Sequence, residues 1–163
     1  MRILFSYLAL LSVCTMPGCI GSDEGIDTAH DAEVLYFEQI GYGQQGSLKD
    51  STEIALRSSQ EWAIYRDSLK PIAPFDSVDF EQGIVMLVAL PQESSGHSIN
   101  FVSIEANDSV TVAEYVVSAP AEDCLAAFAE TVPFTAVMVR RTDNPVRFER
   151  EIEEYRCTFG RRR

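Results

Sequence analysis

The chain has 163 residues, room for one ordinary domain and little more. Its hydrophobic share of 46% and charged share of 23% are those of a globular domain that folds without a metal or a disulfide network. A formal net charge of −12 argues against nucleic acid, whose phosphates demand a basic face, and against a folded body lying on anionic lipid.

Residues 1–18 have the make-up of a signal peptide. Arg2 supplies a positive start, and Ile3 to Val13 is almost wholly apolar. That run suits an export signal and falls short of the roughly 20 residues a bilayer span needs. The stretch Thr15-Met16-Pro17-Gly18-Cys19 resembles a bacterial lipobox, in which a small residue precedes an invariant cysteine; Met16 stands where Leu is usual, and Pro17 is an uncommon neighbour. The resemblance implies cleavage before Cys19 and attachment of a diacylglycerol to its thiol as a thioether. Each buried CH₂ is worth about 0.8 kcal/mol, so two or three acyl chains anchor stably without a spanning helix. The alternative is an ordinary secretory signal with a stray cysteine. Losing the single charge of Arg2 takes the net charge from −12 to −13. Residues 19–33 then form the lipidated cysteine and an acidic, polar tether, about 20 Å long as a random coil. In a diderm cell, Ile20 after the cysteine favours the outer membrane.

Residues 34–160 read as one domain. Val34 to Tyr42 is rich in β-formers, and Ile54 and Leu56 alternate with polar neighbours, giving two strands. Ser58-Ser59-Gln60-Glu61 is a capping box. It predicts a helix with Trp62, Tyr65 and Leu69 on one face, stopped by Pro71 and Pro74. Ile84 to Leu90 is a continuous apolar run, expected as a central strand buried on both faces. Ser98 to Glu105 and Val110 to Val117 predict a hairpin with a two-residue turn at Asn107-Asp108. A short helical turn is expected within 120–131. Val132 to Arg140 and Val146 to Tyr155 predict a second hairpin around Asp143-Asn144-Pro145. The expected fold class is α+β: a mostly antiparallel sheet, a meander, with one covering α-helix. Arg161, Arg162 and Arg163 read as a basic, frayed tail.

Four stretches in this order resemble the protease complex subunit PrcB family: Ser59-Gln60-Glu61-Trp62, Val78-Asp79-Phe80, Gly96-His97-Ser98-Ile99 and Val132-Pro133-Phe134. The resemblance covers roughly residues 53–141, with Ser95 where the family often has Gly and His97 where it often has Tyr. The resemblance implies a C-terminal domain of the kind that supports an extracellular protease complex, and it brings no catalytic residues. The apolar members of these stretches, Trp62, Phe80 and Phe134, read equally as core.

Chemistry has few footholds. Cys124 and Cys157 form an even pair in an oxidising compartment and are expected to join as a disulfide, clamping the last strand to the segment after Val117; the alternative is a reactive thiol. His30 lies in the tether and His97 stands alone beside a turn, within reach only of Ser94 or Ser95. Zinc would need three or four N or S ligands, so no metal and no cofactor are expected. Asp76 and Asp79 bracket a turn. Glu149, Glu151 and Glu153 share one face of the last strand, opposite Phe148, Ile152 and Arg150, and read as a solvated face that also guards an edge. The remaining reading is a partner-binding or calcium-binding patch. Together these features predict a non-catalytic lipoprotein of the cell envelope, held to the membrane through Cys19 and acting on an exported protease or another envelope protein. The alternatives are an envelope hydrolase with paired carboxylates and a binder of a small ligand or peptide on the open sheet.

Overall fold

The computed structural model describes residues 32–157. The expected signal peptide, Cys19, the tether up to residue 31 with His30 and the basic tail fall outside the described residues; Glu33, expected as the last tether residue, is instead paired in a strand with Ala106. Ten strands and one helix follow in chain order: β1 (Glu33–Val34), β2 (Phe37–Gly43), β3 (Gln45–Gly46), β4 (Thr52–Leu56), α1 (Ser59–Arg66), β5 (Leu69–Lys70), β6 (Gly83–Ala89), β7 (Ser98–Ala106), β8 (Thr111–Pro120), β9 (Phe134–Arg140) and β10 (Val146–Tyr155). They build two four-stranded sheets, ordered β1-β7-β8-β10 and β2-β9-β6-β4, and a small β3-β5 pair. Among the described residues no helix is long and apolar enough to cross a membrane.

The second sheet is the middle layer. Along β6, alternate side chains point to opposite faces. Ile84 and Met86 pack with Val137 and Val139 of β9 against Ile104 and Ala113 of the first sheet. Val88 and Leu90 meet Ile99, Tyr115 and Val117 there. On the reverse face Val85, Leu87 and Ala89 join Phe134, Ala136, Leu56, Trp62 and Leu69. Both faces are covered, so every residue of β6 is buried, and the unbroken apolar run of the sequence has its explanation.

The expected α+β class is corrected. Over the described residues the protein is mostly β, two facing sheets with a single eight-residue helix, and α1 does not cover a sheet by itself. Its capping box forms: the amide of Glu61 donates to Ser58 Oγ at 3.2 Å, and the Glu61 carboxylate reaches back to the amide of Arg57 at 2.7 Å. The helix then ends at Arg66, before Leu69. The residue before a proline is disfavoured in the α region, so Lys70, ahead of Pro71, sits extended in β5 instead. Trp62 is the one buried residue of α1 and reaches the core beside Phe75, ring centroids 5.0 Å apart.

The meander is corrected as well. β9 and β10 are not a hairpin: β9 lies between β2 and β6, whereas β10 crosses to the other sheet and runs parallel to β8 over its full length. The physical reason is burial. β9 is buried on both faces and lies inside the middle sheet; β10 is largely exposed, carries charge on both faces and takes an edge. The single strand expected over Val34 to Tyr42 is split, β1 pairing with β7 and β2 with β9, with Leu35 buried at the crossing. The β7–β8 hairpin stands as expected, but its loop runs over four residues: Ala106 faces Thr111, and Asn107 Oδ1 accepts from the amides of Ser109 and Val110. Within 120–131 the backbone makes three short hydrogen-bonded turns, Cys124 to Ala121, Ala126 to Cys124 and Ala129 to Ala127, and no helix.

Candidate functional site

β4 and β10 are the edges of opposite sheets, and no backbone ladder joins them. Side chains close that gap. Glu53 on β4 accepts hydrogen bonds from the Tyr115 hydroxyl and from Arg150 Nη2, the latter at 2.6 Å. Arg150 Nε donates to the Tyr115 oxygen at 2.7 Å. The phenol itself is buried, 1% exposed. Burial, and then the Glu53 carboxylate, push the Tyr115 pKa up to about 12. Burial would raise Glu53, but the hydrogen bonds from Tyr115 and Arg150 and the attraction of Arg150 outweigh it and hold the carboxyl below its ordinary value.

The signs follow. Glu53, depressed when folded, adds stability above its ordinary pKa of 4.5 and loses it as pH falls through the folded value. Tyr115, raised when folded, adds stability that is full below 10.0 and lost as pH rises toward about 12. Tyr115→Phe is expected to cost about 1.5–3 kcal/mol at neutral pH, since the lost hydroxyl bonds two charged groups. It should also flatten the alkaline decline, and urea unfolding across pH checks both effects. An alkaline limb that keeps its slope would place the titrating group elsewhere.

The sequence placed Arg150 on the side of the strand opposite the glutamates, and the register agrees: Arg150 faces Tyr115. Glu53 and Tyr115 were not anticipated. The usable signal was the arginine itself, a cation between Phe148 and Ile152 on its face of the strand, which favours an anion on whatever packs against it.

At the other end of β10 the expected disulfide is present: Cys124 and Cys157 are bonded, Cα atoms 5.0 Å apart. It joins the loop after β8 to the end of β10. Further ties hold this loop. The Ala121 amide donates to the Tyr155 carbonyl at 3.0 Å. The Ala127 amide donates to Ser95 Oγ at 3.0 Å, and the Ser95 amide donates back to the Ala127 carbonyl at 3.0 Å. Thr131 and Gln92 exchange backbone bonds of 2.9 and 2.8 Å. Beneath it Gly96 adopts φ +97°, where a Cβ would come within 2.8 Å of the Tyr155 hydroxyl; that hydroxyl donates to the Gly96 carbonyl at 2.9 Å. Only glycine fits there without strain.

The other anticipated residues have structural partners. His97 Nδ1 lies 3.3 Å from the Ser94 carbonyl, and its own carbonyl accepts from Gln44. Ser95 Oγ is engaged by Ala127, and Asp79 binds the amide of Glu81 and the side chain of Gln82 at 2.9 Å each. Phe80 is half-buried, packed against the Trp62 core. Glu149 pairs with Arg147 at 2.8 Å, and Glu151 and Glu153 are exposed. Among the described residues no three His, Cys, Asp or Glu side chains are grouped to hold a metal ion. Comparison with family models, curated proteins and solved structures finds no match to this chain.

Proposed function

We propose that this chain is a non-catalytic lipoprotein of the cell envelope, an accessory module of the PrcB kind that binds and stabilises another exported protein, a protease complex first among the candidates. The observation that carries this reading is the Glu53–Tyr115–Arg150 cluster. Three side chains whose protonation is shifted are bonded to one another and spent on joining two sheets. A phenol with its pKa near 12 is poorly suited to trade protons at neutral pH. The disulfide fits an oxidising compartment. The acyl group on Cys19 supplies the attachment.

The test is the size of the native particle. The full chain, extracted from membranes with a mild detergent, is expected to run as a complex with another exported protein in fixed ratio. Recovery of the monomer alone would overturn the accessory role.

A further inference from the structure

The loop between β8 and β9 presents apolar groups to water. Leu125 is 88% exposed and Phe128 100% exposed. A loose loop would explain such exposure, but this one is tied down by the Cys124–Cys157 bond, by the two Ser95–Ala127 hydrogen bonds and by the Gln92–Thr131 pair. Its backbone therefore has little freedom left to lose on binding. In the same loop Glu122, Asp123 and Glu130 are exposed, and β10 reaches the disulfide through Glu151, Glu153 and Glu154. Arg156, next to Cys157, is the one cation in that part of the chain among the described residues.

Resting on the accessory reading above, we infer that this pinned loop is the docking element, and that its partner is an exported protein offering an apolar pocket with a rim of Lys and Arg. Phe128 and Leu125 enter the pocket, and the surrounding carboxylates meet the rim. A rigid aromatic anchor inside a polar ring is the usual make-up of a binding hot spot, and the opposite charges steer the encounter. Charge selects against the other occupants. Anionic head groups repel the flanking carboxylates. A second copy, cleaved before Cys19, brings the same net charge, −13 once Arg2 is lost from the −12 of the full sequence. The neighbouring cleft, which gathers the chain's two lysines, Lys49 and Lys70, also holds Glu93 and Glu130.

The experiment places a photoreactive benzophenone side chain in the full, membrane-held chain, in separate variants at Leu125, Phe128, Tyr36 and Ile64. Tyr36 and Ile64 are exposed controls, 85% and 70%. Tyr36 follows β1, which pairs with the far end of β7. One discrete adduct is expected from Leu125 and Phe128 and none from the controls, and the cross-linked peptide should be apolar and flanked by Lys or Arg. In the chain labelled at Leu125, Phe128→Ser should leave the unfolding curve unchanged and weaken the complex by about ten- to a hundredfold, the loss of one buried aromatic. Glu122→Lys with Asp123→Lys should weaken it too, and added salt should mimic that pair. Adducts to lipid, to a second copy, or from the controls alone overturn the assignment. A complex that survives extraction while Leu125 and Phe128 stay unlinked removes the loop and leaves the accessory role standing; no complex at all removes both.

Discussion

Replacing both Cys124 and Cys157 with serine is expected to lower the unfolding free energy by about 3.5–4 kcal/mol, the loop-closure entropy of a segment of this length in the chain-entropy model. The bond spans 33 positions of sequence, and that interval contains all of β9 and β10. It therefore restrains the denatured chain across roughly the last quarter of the domain. The folded loop keeps its bonds to Ser95 and Gln92, so the native state should change chiefly at Leu125 and Phe128, whose backbone loosens. Urea unfolding of the oxidised protein and of the double variant checks the size of the loss. The m-value should rise as the unfolded chain expands. Equal midpoints would show that the two thiols are not joined in the isolated protein.

Phe134→Ala is expected to cost about 3–5 kcal/mol, the range for removing a buried aromatic and leaving a cavity. Phe134 is 2% exposed and sits where β9 meets the layer formed by α1 and β5. Its ring lies 6.0 Å from that of Phe75, which in turn stands edge-on to Trp62. A cavity there reaches three elements at once, and rigid strand backbone on either side limits collapse. Position 43 adds to the constraint: a Cβ on Gly43 would stand 2.6 Å from both the Phe134 ring and the Lys70 carbonyl oxygen, so the ring packs against bare backbone there. Thermal unfolding measures the loss. A cost below about 1 kcal/mol would mean that the site relaxes around the smaller side chain.

Local order was legible in the sequence and pairing was not. The apolar run at 84–90, the Ser58–Glu61 cap and the β7–β8 hairpin each depend on neighbours within a few residues, and each forms. The cysteine pair was legible because composition and compartment leave few alternatives. The parallel β8–β10 pair was hidden, since a short polar link between two strands suits a hairpin and a crossing equally well. The Glu53–Tyr115 contact spans 62 residues and shows only after the two sheets face each other. Phe128 was hidden for another reason. A phenylalanine is ordinarily counted toward the core, and its exposure here follows from ties made by Ser95, Gln92 and Cys157, all distant in sequence.

The measurement that bears most directly on the account is the mass of the chain recovered from membranes. In the proposed reading the domain is held at the envelope by its own N-terminus. The expected product begins at Cys19 and carries a diacylglycerol thioether, and Cys19→Ala should abolish both the cleavage and the lipid mass. A membrane-free product that retains residues 1–18 without added lipid would contradict the anchor, the compartment and the role built on them.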